Sequence, residues 1–206
     1  MFSCSDENVI NGIDENSSNT TNVSAKTVSD FDELFYQHIN SSVYLELDSK
    51  INLYTAKMRF TENSENINTE EKMISWILAN LDTTNFSSTE EAISEWKEIE
   101  NISKIVFETN ADFYKEVTHN KGRFSELLLH ENMKYYTTNS TCKDNLNACN
   151  SSAVDQYSGA MEGAFEAYLD GHISGESASK AMDNARIIYS INLDLCRMEY
   201  DSCILG

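Results

Sequence analysis

An all-α fold is the class this sequence predicts: a helical bundle closed by a C-terminal antiparallel hairpin stapled by disulfides. Three observations predict it. The 206 residues contain no proline and only seven glycines, and proline is the residue that most strongly interrupts helix interiors. Apolar residues recur at spacings of three and four over most of the chain, the period of one helix face. Four of the five cysteines form two C-x6-C pairs, Cys142/Cys149 and Cys196/Cys203. Within one helix, cysteines seven apart are separated by about 10.5 Å of rise, whereas a disulfide needs Cα atoms within about 7 Å. Neither pair can therefore close on itself while helical.

The elements follow in order. Residues 1–28 form one segment: Cys4, then a stretch of Asn, Ser, Thr and acid that cannot bury enough apolar surface to offset the entropy of ordering it. The expectation is a tether. Residues 29–206 form a single domain, divided into a bundle over 29–139 and a hairpin over 140–206. Ser29-Asp30 caps a helix carrying Phe31, Leu34, Phe35, His38 and Ile39, expected to run on through Leu45 to Met58. The alternation over Val43–Asp48 also suits a strand, but one without an obvious partner. Residues 61–68 read as a loop. Asn68 with Glu71 makes a capping-box start for a helix with Met73, Ile74, Trp76, Ile77 and Leu81. Ser88 with Glu91 makes a second, and its stripe of Ile93, Trp96, Ile99, Ile102, Val106 and Phe113 fades near His119, with Gly122 as a stop. Phe124 to Tyr136 reads as a short helix.

The C-terminal third carries the strongest signal. Asp170-Gly171-His172-Ile173-Ser174 is the clearest break, with Gly171 as stop and Ser174 or Ser177 as start. Folded antiparallel there, Cys142 with Cys203 and Cys149 with Cys196 share one midpoint, between His172 and Ile173. The expected disulfides are therefore Cys142–Cys203 and Cys149–Cys196. Gly159, Ala160, Gly163, Ala164 and Ala167 on one arm face Ala178, Ala181 and Ala185 on the other, small residues that allow close approach. The pattern resembles twin-cysteine helical hairpins of the CHCH type in geometry alone, since the spacing is x6 and not x9. Zinc favours C-x2–4-C knuckles instead. Reduced core thiols are the remaining alternative. Disulfides imply an oxidising compartment.

The N-terminus adds a location. Phe2-Ser3-Cys4 resembles the end of a bacterial lipobox, and Ser5-Asp6-Glu7 resembles the serine-plus-acid signal after the lipidated cysteine of Bacteroidetes-type surface lipoproteins. The resemblance implies acylation at Cys4 and a lipid-anchored protein of the outer membrane or cell surface, with a periplasm-facing placement as the variant. The odd fifth cysteine then has a role.

Chemistry is sparse in the sequence. The formal charge of −19, from 34 acids against 15 bases, excludes a nucleic-acid partner, which needs a basic patch. No apolar run reaches the ~18–20 residues that span a bilayer. Glu116-Val117-Thr118-His119 is one E-x-x-H, but the di-iron proteins need two with further glutamates. Glu90, Glu91, Glu95, Glu98 and Glu100 read as a solvated helix face, and Trp76, Trp96 and the tyrosines as core. No catalytic residue, metal ligand or cofactor is assigned. The expected function is an anchored binding or structural module, with a protein partner in the envelope as one possibility, and not an enzyme. The rival is a small hydrolase or metal-dependent enzyme whose carboxylates converge from different helices.

Overall fold

The computed structural model describes residues 30–62, 64–136 and 141–205, and every regular element among them is helical. The stretch 1–29, holding Cys4 and the expected tether, lies outside the described residues. Helix α1 covers residues 30–39 and turns Phe31, Phe35 and His38 inward. It does not run on to Met58. Asn40 donates its side-chain amide to the Tyr36 carbonyl (2.7 Å), and Ser41 caps a new helix, α2 (Ser42–Met58), by accepting from the Tyr44 amide. The alternating stretch Val43–Asp48 is thus helical. Arg59 ends α2 in the left-handed region at φ 53°.

A 3-10 turn, Ser64–Ile67, lies within the expected loop. The next cap is Thr69, one residue later than Asn68: its hydroxyl accepts from the Lys72 amide and opens α3 (Glu70–Ala79). Lys72 uses Asn68 instead as a side-chain partner (2.8 Å). Ser88 caps α4 (Thr89–Thr109) as its sequence indicated. The helix expected to continue to His119 breaks at Asn110, giving α5 (Ala111–His119), and breaks again at Asn120, giving α6 (Lys121–Met133). Gly122 is therefore not a stop; it sits in the first turn of α6.

One residue type makes four of these breaks. Asn40, Asn80, Asn110 and Asn120 each donate a side-chain Nδ2 to the carbonyl four residues back, at 2.7, 2.9, 2.8 and 2.9 Å. The last carbonyls of a helix lack backbone donors, and an asparagine amide supplies one while its short polar chain competes with helix continuation. Asparagine does here what proline and glycine do elsewhere.

The long hairpin, α7 (Thr141–Leu169) and α8 (Gly175–Leu205), forms the most extensive helix–helix contact. Gly171 makes the turn at φ 72°, and Ser174 accepts from the Ser177 amide (3.1 Å). The disulfides are Cys142–Cys203 and Cys149–Cys196, with Cα separations of 5.8 and 5.7 Å. The small-residue seam is narrower than expected. Ala164, Ala178 and Ala185 are buried between the arms, but Ala160, Gly163 and Ala181 are exposed, and a Cβ at Gly159 or Gly163 would meet nothing within 4 Å. Staples and a few alanines set the approach, not a continuous glycine stripe.

The bundle wraps one face of this hairpin. Its core runs from Phe31 and Phe35 through Leu47, Ile51, Trp96 and Ile99 to Met161, Phe165 and Ile191. A second small core at the stapled end joins Leu146, Cys196 and Tyr200 with Met133 and Tyr136.

Candidate functional site

Where the α1–α2 corner, α6 and the hairpin meet, they leave a cavity of about 600 Å³, within the range of small-molecule sites. The Ser41 cap places Tyr44 in the first turn of α2, and Asp48 and Asn52 follow on the same face at spacings of four. Arg186, Tyr189 and Ser190 project from one face of α8, Tyr157 and Asn150 from α7, and Asn132 from α6. Tyr157 and Tyr189 stack at 4.6 Å with 13° between their planes, and Asn132 donates to the Tyr189 hydroxyl (2.5 Å).

Arg186 is the unusual member. It is only 6% exposed, and an arginine stays protonated at any physiological pH. Its neighbours are phenols. Its Cζ lies 4.8 Å from the centre of the Tyr44 ring, a cation–π distance, and its Nε donates to the Tyr157 hydroxyl (3.3 Å). Among the described residues it forms no ion pair, although buried charges are normally paired.

Neighbouring groups respond to burial and to that charge. His38, stacked on Phe113 at 4.1 Å, is pushed down to about 3, by burial first and by Arg186 second. Asp183 is pushed up to about 8 by burial, against the hydrogen bond donated by Ser103 and the pull of Arg186. Burial raises the Asp48 carboxyl, with Arg186 and the Asn52 amide (3.1 Å) acting the other way. Burial raises the Tyr44, Tyr114 and Tyr189 phenols far enough to keep them neutral. Asn150, 3% exposed, borders the same cavity, and its Oδ1 has no hydrogen-bond partner among the described residues.

The sequence-derived sites distribute unevenly. Cys4 lies outside the described residues. The four other cysteines end the molecule beside the cavity: Tyr136 and Leu146 line it and also pack in the small core with Cys142 and Cys149. The glutamates of α4 are not simply a solvated face. Lys57 reaches Glu91 (2.7 Å) and Glu95 (2.5 Å), Lys50 reaches Glu98 (2.6 Å), and Lys180 reaches Glu100 (3.2 Å), so they tie α4 to α2 and α8. Trp96 is core at 1% exposure. Trp76 instead lines a broader furrow of about 990 Å³ with Arg59, Phe60 and Met198. Tyr44, Tyr157 and Tyr189, expected as core, also form walls of the cavity.

Arg186, Asp48 and Asn150 were not singled out in the sequence. A signal for Arg186 existed: Met182, Arg186 and Tyr189 fall at i, i+4 and i+7, which places a charge inside an apolar stripe of α8. Asp48 and Asn150 carry no such mark, since their burial arises from the way separate helices pack.

No group of three or more metal-binding side chains forms among the described residues, and no described helix is long and apolar enough to cross a membrane. The disulfides point to an oxidising, extracytoplasmic environment. No family model, characterised protein or solved structure matches this chain.

Proposed function

We propose that the chain is a lipid-anchored, extracytoplasmic binding module, held at the outer membrane or cell surface by acyl chains on Cys4, that takes a small ligand in the tyrosine-lined cavity. The observation that carries this reading is a cavity of ligand size whose wall holds a buried arginine, Arg186, in no ion pair among the described residues, and a buried carbonyl, Asn150 Oδ1, with no hydrogen-bond partner among them. Binding energy is available there because a ligand would satisfy groups already desolvated by the fold.

The test has two arms. With a lipoprotein leader fused upstream of Cys4, the protein partitions into detergent and the Cys4→Ser variant stays aqueous. Protein purified from the envelope retains a small molecule in native mass spectrometry, and Leu45→Trp, a substitution at a half-exposed residue of the cavity wall (53%), loses it. An aqueous wild type removes the anchor; an empty cavity in every preparation removes the binding site.

The hydrolase reading draws on Asp48 and Asp194, two carboxylates of the cavity wall that burial raises. Chemical conversion of the retained molecule, lost in Asp48→Asn, would favour it.

A further inference from the structure

We infer that the cavity binds a small zwitterion, its anionic group on Arg186 and its cationic group on Asp48, with the body of the molecule against the Tyr157–Tyr189 stack. This rests on the cavity being the binding site and names what it takes.

Two charges of opposite sign, neither in an ion pair among the described residues, share one cavity. Arg186 presents a planar guanidinium with five N–H donors, and its hydrogen bond from Nε goes to a neutral phenol. A carboxylate matches that guanidinium in a bidentate pair. Asp48 lies in the same wall, one helical turn beyond Tyr44, and accepts from one amide, that of Asn52. Arg186 pulls on the Asp48 carboxyl, yet the two form no ion pair among the described residues. A direct contact would have left neither free for a ligand; lining one cavity without pairing, both are open to a molecule that bridges them.

The other charges of the wall come in pairs of opposite sign, Lys134 with Glu131 and Arg197 with Asp194. Lys134 pairs with Glu131 (2.5 Å), and Arg197 pulls on the Asp194 carboxyl. The whole chain, at −19, repels a ligand of net negative charge at long range, whereas a zwitterion of zero net charge meets no such barrier. The unpartnered Oδ1 of Asn150 offers a further acceptor for an ammonium or hydroxyl hydrogen. The stacked tyrosines supply a flat apolar wall that also favours cations.

The experiment is calorimetric titration of the purified full-length protein with glycine betaine and the twenty common amino acids. The best binder is then compared with its N-acetyl derivative and its methyl ester where it has a primary amine, or with the ester alone for betaine. At least one zwitterion is expected to bind, and each singly charged derivative to bind at least tenfold more weakly. Arg186→Lys, which keeps the charge and loses the planar fork, should weaken the zwitterion tenfold or more. Asp48→Asn should weaken the zwitterion but not the N-acetyl derivative. For betaine, Asp48→Asn should weaken binding tenfold or more. Circular dichroism melts confirm that each variant is folded, and the ligand derivatives carry the test if Arg186→Lys is not. Equal binding of zwitterion and derivative overturns the assignment. A retained native molecule carrying one sign of charge, or none, overturns it while leaving the cavity as the binding site. An empty cavity in all preparations, with no heat from any titrant, overturns both.

Discussion

At the scale of single residues, one buried charge organises its surroundings. Arg186 holds His38 and Asp183 within its field, and burial shifts the two in opposite directions. His38 titrates near 3 in the fold and near 6.5 when unfolded, so its contribution to stability is present above pH 6.5 and lost as pH falls toward 3. Asp183 titrates near 8 in the fold and near 3.8 when unfolded, so its contribution is complete below pH 3.8 and is lost as pH rises toward 8. The two slopes oppose one another between about pH 4 and 6.5, and above that Asp183 acts alone. Denaturant titrations should therefore give a stability that declines from pH 6.5 to 8, at most by about 1.4 kcal/mol per pH unit. Asp183→Asn should flatten this decline. A wild type whose stability rises over that interval would show that the carboxyl is ionised in the fold.

At the scale of elements, the chain was legible where side chain and backbone act within one helix. Ser88 announces α4 because the Ser-x-x-Glu pattern is local, and the cysteine registry announces the hairpin because it depends only on chain counting. The breaks at Asn40 and Asn110 were not read, and the one near Asn120 was read but assigned to Gly122. The apolar stripe continues across the first two, and an asparagine inside a helical pattern looks the same as one at its end until its side chain is seen on the i−4 carbonyl. Thr69 was missed by one position for a similar reason, since two residues of capping type stand side by side. The amide caps are testable. Asn120→Ala removes one such hydrogen bond and should cost about 0.5–1.5 kcal/mol. Asn110→Ala should cost more, because Asn110 also hydrogen-bonds to His38. Chemical denaturation of the two variants side by side checks the order. Arg59 makes the opposite case. It holds a left-handed backbone at φ 53°, and Arg59→Gly should stabilise by about 0.5–1 kcal/mol, because only glycine adopts that region without strain.

At the scale of the whole molecule, the cavity was invisible in the sequence because it belongs to no element. It exists where α1, α2, α6, α7 and α8 fail to close over one another, and only the long hairpin spans from the tyrosine wall to the staples. The disulfides act on that span jointly. Cys149–Cys196 closes 47 residues and Cys142–Cys203 closes 61. With either in place, the other adds only the short ring made by segments 142–149 and 196–203. Loop-closure entropy then gives about 3 kcal/mol for removing one bond and about 7 kcal/mol for removing both. Paired Cys→Ser variants, melted with the wild type, should show that order. Equal midpoints for all three would mean that helix packing alone holds the arms together.

The turn at Gly171 has a consequence of its own. Asp170, Gly171 and His172 are all exposed, and they make the hairpin's tip its most accessible target for an endoprotease. Both crosslinks lie at the opposite end, so a nick at the tip severs the backbone without releasing either arm. A cut molecule would run as one band without reductant and as two fragments with it. In a protease-rich exterior, such a protein could go on working after being cleaved.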